Sequence, residues 1–236
     1  MTQDLFGEYA GGYYDSIEEA AARSAEVIVP LVLKLTGARS VVDVGCGTGT
    51  WLRAFEERGV ADYVGIDGPH VEADALKIPE DRYLARNLEH GFRMERGFDL
   101  VVSLEVAEHL AEESAPEFIE SLTRLGPLVL FSAAIPFQGG THHVNEQWPD
   151  YWAAFFLKHG FVAVDCIRRR IWDDERVEWW YAQNTLVFAT PERLDELPGL
   201  SREYELMGTS QLSLVHPRKY LYCIDWGLKL QTGEHD

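Results

Sequence analysis

Three glycines alternate with other residues directly after a short β-branched run, and they are the strongest chemical signal in the chain. The run 41–44 predicts a buried parallel strand that carries one carboxylate, Asp43. The glycines at 45, 47 and 49 lead from that strand into a helical pattern. Glycine lets a ligand approach the main chain closely, and the free N–H groups of a helix N-terminus bind carboxylates or phosphates. The segment therefore predicts a binding site for a nucleotide-like ligand at the end of a strand.

The spacing of the glycines selects the kind of ligand. A dinucleotide-binding loop reads G-x-G-x-x-G, whereas this loop reads D-x-G-x-G-x-G from Asp43 to Gly49. That pattern resembles motif I of the class I S-adenosylmethionine-dependent methyltransferases, and the resemblance extends over residues 35–190. It implies a seven-stranded sheet and S-adenosylmethionine as the methyl donor.

The resemblance also implies the residues that hold the donor. The glycine loop would hold its methionine part, and Asp67, at the end of a second strand, would accept both ribose hydroxyls. The family commonly has Asp where this chain has Asn87, which keeps an acceptor oxygen for the adenine amine. Ser103 and Leu104 would border the methionine part. The complete implied set is Asp43, Gly45, Cys46, Gly47, Gly49, Trp51, Asp67, Gly68, Asn87, Leu88, Ser103 and Leu104.

Two further segments follow the predicted fourth and fifth strands, where such sheets bind their substrates. In the first, Glu105, Glu108 and His109 have spacings of three and four that would let them converge on a helical turn. In the second, paired glycines precede His142 and His143. These side chains could bind or activate the methyl acceptor.

Three interpretations of the acceptor segments remain open. The acidic residues could cap a helix while the histidines line a loop. His142 or His143 could be the general base that takes a hydroxyl proton during methyl transfer. A divalent ion such as Mg²⁺ or Mn²⁺ could bind Glu105, Glu108, His109 and His143, a set that resembles E-x-x-E-H…H of the small-RNA 3′-terminal 2′-O-methyltransferases. The last two could coexist.

The elements that position these residues alternate between strand and helix. Strands are predicted at 41–44, 63–66, 83–86, 98–104 and 128–134, with helices at 14–36, 51–58, 112–125 and 149–159. Two β segments, 161–171 and 181–189, are predicted around an acidic turn. The pattern predicts an α/β fold with a seven-stranded, mainly parallel sheet, helices on both faces and one antiparallel strand. Residues 1–190 would form this domain, and 191–236 a C-terminal appendage that covers the site or pairs subunits in a homodimer.

Composition limits the partners. The formal net charge is −18, and the only arginine run, 168–170, is predicted to be a solvated strand end, so nucleic acid is disfavoured. Three dispersed cysteines and the lack of a leader or a membrane-spanning run lead us to expect reduced thiols and a cytoplasmic protein.

Together these features predict a methyltransferase that acts on a hydroxyl of a small polyhydroxylated acceptor. Aromatic residues after the histidine loop would suit stacking on a pyranose, so a sugar or glycoside is the expected carbohydrate acceptor. The alternatives are N- or O-methylation of a natural product or RNA, and a non-catalytic subunit that binds S-adenosylmethionine.

Overall fold

The fold is built on one seven-stranded sheet. The computed structural model describes residues 12–207 and 211–232, with side chains described for 18–207 and 211–225. The strands are β1 (Ser40–Val44), β2 (Asp62–Asp67), β3 (Tyr83–Ala85), β4 (Leu100–Leu104), β5 (Leu128–Ser132), β6 (Val162–Val164) and β7 (Leu186–Ala189). Their spatial order is β3-β2-β1-β4-β5-β7-β6.

Nine helices surround or follow the sheet in the described part of the chain. They are α1 (Gly12–Thr36), α2 (Thr50–Glu57), α3 (Ala115–Leu125), α4 (Pro149–Lys158), α5 (Arg168–Ile171), α6 (Trp179–Asn184), α7 (Pro191–Glu196), α8 (Pro198–Met207) and α9 (Pro217–Thr232). Short 3₁₀ turns occur at Ala73–Ala75, Glu80–Arg82, Ala107–His109 and Glu112–Ser114.

The sheet topology confirms the predicted fold class. The strands from β3 to β5 pair in parallel, and β7 is antiparallel to both of its neighbours, β5 and β6. The direction of chain progression reverses between β1 and β4. In open parallel sheets the crevice at such a reversal, beyond the carboxyl ends of the strands, is where ligands bind.

Helices cover both faces of the sheet. Successive side chains of a strand point to opposite faces, so β1 contributes apolar residues to both. Val41 faces the core that α1 and α2 cover, whereas Val42 and Val44 face the core that α3 and α4 cover. All three valines are fully buried. Each such side chain contributes about 1.5–3 kcal/mol when transferred from water to the interior. A strand buried on both faces therefore has no regular alternation of apolar and polar residues.

The two predicted β segments after residue 160 are shorter than expected. The first is a strand only over Val162–Val164, and the chain then turns into α5. The second begins as helix α6 and becomes a strand only at Leu186. Short apolar runs do not distinguish a buried helical turn from a strand by periodicity, which explains the error.

The arginine run is also placed differently from the prediction. Arg168 is buried and makes two hydrogen bonds to the Asp165 carboxylate, at 3.0 and 2.7 Å. Its Nη1 donates to the backbone oxygens of Gln183 and Leu212. Arg169 and Arg170 form ion pairs with Glu203 of α8. The run therefore attaches the C-terminal region to the sheet domain and is not a free basic surface.

The region after residue 190 forms the helices α7, α8 and α9. α8 contacts α1 and β6, and α9 contacts α6. Its predicted roles as a lid or in subunit pairing remain predictions. None of the helices in the described ranges is both long enough and apolar enough to cross a bilayer.

Candidate functional site

The glycine loop between β1 and α2 has a backbone that requires its glycines. Gly45, Gly47 and Gly49 have φ values of 83°, 53° and 90°, in the left-handed region that other residues avoid. A Cβ at Gly45 would lie 2.3 Å from Val106 Cγ2, and one at Gly49 would lie 2.9 Å from Ile78 Cγ1. A Cβ at Gly47 would meet no atom within 4 Å, so this residue borders open space. The loop is thus a closely packed cradle with one open side.

Asp67 ends β2 beside this loop, as predicted. Its Oδ2 accepts a hydrogen bond from the Gly47 N–H, and its Oδ1 accepts one from the Gly68 N–H, each at 2.6 Å. The carboxylate is fixed by the main chain on both sides and retains a small exposed area. It lies where a ligand on the glycine loop can reach it.

Asp43 lies beneath the loop and is almost fully buried. Its Oδ2 has no hydrogen-bond partner among the described residues. Burial, and then the charge of Asp67, raise the pKa of Asp43 well above its ordinary value. The neighbouring Ser103 hydroxyl also lacks a partner there. The floor of the site therefore holds polar groups that a ligand could satisfy.

The other predicted donor residues differ in their surroundings. Cys46, Trp51, Leu88 and Leu104 are buried, and burial raises the pKa of the Cys46 thiol, which keeps it uncharged. Asn87 is exposed, and its Oδ1 accepts a hydrogen bond from the Glu89 N–H at 3.0 Å. The oxygen that was expected to meet the adenine amine is thus engaged in a local turn.

Two residues at the donor site have no signal in the sequence. Glu18 of α1 accepts hydrogen bonds from the hydroxyls of Thr48 and Thr50 and pairs with Lys77 Nζ at 3.0 Å, so α1 closes one side of the glycine loop. Tyr181 of α6 packs edge-on against Trp51, with ring centroids 5.1 Å apart. Burial, and then the nearby charge of Glu105, raise the pKa of Tyr181. Both contacts join distant parts of the chain, which explains why no local pattern predicts them.

Glu105 follows β4 in a left-handed conformation, with φ of 55°. Only residues 107–109 form a helical turn, of the 3₁₀ type, so the predicted helical spacing from Glu105 is wrong. Gln138 Nε2 donates to Glu105 Oε2 at 2.7 Å, and Asn184 Nδ2 donates to Oε1 at 3.1 Å. Two buried amides from distant segments therefore fix this carboxylate, a role that the sequence did not reveal.

Glu108, His109 and His143 meet beyond the carboxyl ends of β4 and β5. Each offers one ligand atom, and these atoms lie within 4.8 Å of one another. The imidazoles of His109 and His143 are edge-on, with centroids 4.8 Å apart. Glu108 is fully buried, and neither of its carboxylate oxygens makes a hydrogen bond of normal geometry with a described residue. Weaker contacts with the Ala134 backbone and the Glu105 side chain reach it. Burial, and then the charge of Glu105, raise the pKa of Glu108 well above its ordinary value.

Partners outside this cluster orient both imidazoles. His143 Nδ1 lies 2.9 Å from Glu146 Oε1, and His109 interacts with the backbone of His142. Burial lowers the pKa of His109, and the nearby His143 lowers it further, so the ring is neutral in the form that binds metals. Burial of Glu146 favours its protonated form, but hydrogen bonds from His143 and the Gly139 N–H outweigh it and lower its pKa.

The predicted acceptor residues are therefore only partly brought together. Glu108, His109 and His143 form one cluster, and Glu105 lies beside it, held by Gln138 and Asn184. His142 is exposed, with φ of 59°, and is not part of the cluster.

Comparison with known proteins identifies the family. The methyltransferase domain family matches residues 14–184. The mitochondrial ubiquinone biosynthesis O-methyltransferase of Dictyostelium discoideum is 31% identical over 113 residues, which cover 41% of this chain and 34% of that protein. The match thus spans about a third of that curated relative.

Two solved structures show the same fold. DesVI of Streptomyces venezuelae is 17% identical with a TM-score of 0.57, covering 75% of this chain and 95% of that chain. The methyltransferase domain of bacterial CtHen1 is 22% identical with a TM-score of 0.52, covering 71% and 97% of the two chains. With the sheet order and the glycine loop, the family match places this chain among the class I S-adenosylmethionine-dependent methyltransferases.

Proposed function

We propose that this protein transfers the methyl group of S-adenosylmethionine to a hydroxyl of a small polyhydroxylated acceptor, a sugar or a glycoside. The partial relative named as an O-methyltransferase supports a hydroxyl acceptor. The segments beside the donor cradle are rich in carboxylate, amide and imidazole groups, which suit an acceptor with several hydroxyls.

The residues of the cradle fit the donor. Gly47 borders open space where the main chain can be approached, and the helix α2 begins directly after Gly49. In this proposal Asp67 accepts the ribose hydroxyls, and the buried carboxylate of Asp43 favours the positively charged methionine end. S-adenosylmethionine supplies an electrophilic methyl group on a sulfonium, and the protein orients it toward the acceptor.

The residues of the acceptor cluster fit a divalent ion, and the unpartnered carboxylate of Glu108 carries this part of the proposal. A buried carboxylate with no counterion and no hydrogen bond of normal geometry is costly, and a bound cation would remove that cost. Glu108, His109 and His143 would supply the ligands, with Glu146 orienting His143 as an outer partner. An ion there would bind acceptor hydroxyls and lower their pKa.

The acceptor proton then requires a base. Because His143 Nδ1 is paired with Glu146, only the other ring nitrogen of His143 would be available to hold an ion. In that case the proposal assigns the acceptor proton to His142. If the site works without an ion, the Glu146–His143 pair is itself a suitable base. A positioned base contributes about 10²–10⁴ in rate.

The decisive experiment is a methyl-transfer screen over glycosides, phenols and amines, with release of S-adenosylhomocysteine as the signal. Each reaction is run as purified, with EDTA, and with EDTA followed by excess Mg²⁺ or Mn²⁺. We expect turnover of glycosides that EDTA abolishes and the ions restore. Turnover of amines alone would refute the hydroxyl acceptor, and turnover of glycosides that is indifferent to EDTA would refute the ion.

His142→Ala and His143→Ala separate the two bases in that assay. With an ion, we expect His142→Ala to lower kcat by about 10²-fold or more while metal dependence persists. His143→Ala should instead weaken the response to the metal. Near-wild-type kcat in both variants would remove histidine from the mechanism.

A further inference from the structure

The turn that follows β5 places an aromatic residue in an unfavourable backbone conformation. The Gln138 N–H donates to the Ile135 oxygen at 2.9 Å, which closes a four-residue turn with Pro136 second and Phe137 third. Phe137 has φ of 65°. Proline followed by a left-handed residue is the pattern of a type II turn, whose third position normally holds Gly or Asn. A bulky side chain there costs about 1 kcal/mol or more.

Bonds from several segments hold this turn in place. The side-chain oxygen of Gln138 accepts from the Ile135 N–H at 3.2 Å, and Lys219 Nζ donates to the Gln138 backbone oxygen at 2.9 Å. The Gly139 N–H donates to Glu146 at 2.8 Å. The turn is therefore a fixed feature of the acceptor side, and its strain is maintained by its neighbours.

The strain is not offset by burial. The ring of Phe137 is 88% exposed, more than any other large hydrophobic residue described. Folding gains almost no hydrophobic stabilisation from a side chain in this position. Neither packing nor turn preference accounts for phenylalanine at residue 137.

The position of Phe137 relative to the acceptor cluster explains the choice of an aromatic residue. The next residue, Gln138, donates to Glu105. The backbone of Phe137 lies beside the Glu146 carboxylate, which also contacts His143. Two other exposed apolar residues, Val144 and Trp148, belong to the same loop. The turn that carries this exposed ring therefore borders the site that would hold the acceptor.

We propose that Phe137 is an acceptor-binding residue whose ring packs against the C–H face of a pyranose. This proposal rests on the sugar acceptor of the proposed function. The fixed turn holds the ring outward before binding, so little side-chain freedom is lost when the acceptor arrives. Aromatic rings bind apolar faces, while the polar cluster behind Phe137 binds the hydroxyls.

The test measures acceptor binding directly, in saturation-transfer NMR on the full chain with S-adenosylhomocysteine. The probes are the methyl glycosides of glucose, galactose, mannose, xylose and rhamnose. The variants are Phe137→Ala and Phe137→Gly, with Leu157→Ala as the control, because Leu157 is 65% exposed on α4 and makes no part of the acceptor segments. Loss of one ring contact should weaken binding about three- to tenfold.

We expect both Phe137 variants to bind the preferred glycoside more weakly than wild type, with Leu157→Ala unchanged and the affinity for S-adenosylhomocysteine the same in all. Phe137→Gly should also melt a few degrees higher than wild type, because glycine relieves the left-handed strain. Equal glycoside binding in all variants would overturn the proposal, as would a lower melting temperature of Phe137→Gly, which would mean that the ring is structural.

Failure of the sugar proposal has a different signature. If wild type binds none of the five glycosides but turns over a phenol or an amine, the pyranose acceptor is wrong and the pyranose contact of Phe137 is wrong with it. A raised KM of the Phe137 variants for that other acceptor would still assign the ring to acceptor binding, and an unchanged KM would exclude it.

Discussion

Two buried carboxylates in the candidate site have oxygens without a hydrogen-bond partner of normal geometry among the described residues. Asp43 is beneath the donor cradle and Glu108 is in the acceptor cluster. Desolvation without a partner costs each of them stability, yet each lies where a cation is expected in the proposed reaction. At the residue scale, burial of these two groups therefore lowers the stability of the free protein, and bound ligands would remove that loss.

This view gives a prediction for Glu108→Gln. The neutral amide should lower the desolvation cost, so the free variant should be as stable as wild type or more stable, by about 1 kcal/mol in urea unfolding. Its response to Mg²⁺ or Mn²⁺, in melting temperature and in turnover, should be lost. Glu112→Gln, a change at an exposed glutamate in the next turn, is the control and should behave as wild type. Metal-dependent turnover that survives in Glu108→Gln would contradict the ligand role.

A pH dependence follows from Asp43. Its folded-state pKa is raised by burial and by Asp67, above the ordinary value of 3.8. The protonated form is therefore favoured in the folded state, and its stabilising contribution is complete below 3.8 and is lost as the pH rises toward the raised pKa. Relative to Asp43→Asn, wild type should thus become progressively less stable as the pH rises from about 4 toward neutrality. Urea unfolding of both proteins across this range tests it, and a constant difference would refute it.

Asp67 gives the donor-side prediction. Asp67→Asn should weaken S-adenosylhomocysteine binding about tenfold or more in calorimetry, because a charged acceptor of two hydroxyl hydrogen bonds is replaced by a neutral one. Asp62→Asn at the opposite end of β2, where the carboxylate pairs with the exposed Arg96, is the matched control. Equal affinities for both variants would remove Asp67 from the ribose role.

At the scale of elements, the C-terminal region forms hydrogen bonds with the segments that hold Glu105. The His216 N–H donates to Gln183 Oε1 at 2.8 Å, and the buried Lys219 of α9 donates to the turn at Gln138. Gln138 and Asn184 in turn hold Glu105. The segment that precedes α9 and its first turn therefore support the acceptor loop.

Lys219→Met tests that support. The side chain keeps most of its length, but the hydrogen bond to the Gln138 oxygen is lost, so the turn should loosen. We expect a higher acceptor KM or a lower kcat, about threefold to tenfold, with an unchanged Kd for S-adenosylhomocysteine. Lys158→Met, at an exposed lysine at the end of α4, is the control. A parallel loss of donor affinity would indicate general destabilisation instead.

The elements that the sequence predicted well are those with strong local patterns. The β-branched run of β1, the glycine loop and Asp67 at the end of β2 all follow from short-range rules, and they fix the fold and the position of the donor cradle. The errors occur at α5 and α6. The buried Arg168 interrupts the first apolar run, and the buried residues Tyr181, Gln183 and Asn184 lie in a helical turn before the second strand. Tertiary contacts decide those conformations. The partners of Glu105 were missed for the same reason, because Gln138 and Asn184 lie 33 and 79 positions away in the chain.

At the scale of the whole molecule, the net charge bears on which acceptor with a vicinal diol the proposed reaction would use. A vicinal diol occurs both in a pyranose and at the 3′ end of RNA, and the acceptor cluster alone does not separate them. The formal net charge of −18 favours the pyranose, since it repels a phosphate backbone at long range. The arginine run offers no compensation, because Arg168 is buried and Arg169 and Arg170 pair with Glu203.

We therefore predict that the protein neither binds nor methylates RNA. A short single-stranded RNA with a 3′-terminal diol should show no binding in fluorescence anisotropy at 150 mM salt, and lowering the salt should not produce binding. Specific RNA-binding proteins gain affinity steeply as salt falls, because basic side chains release counterions from the phosphates, and a strongly acidic surface lacks that gain. The same preparation should turn over a glycoside, which serves as the positive control. RNA binding that strengthens at low salt, or methyl transfer to the 3′ end, would show that a local basic path overrides the net charge and would favour the RNA alternative over the sugar.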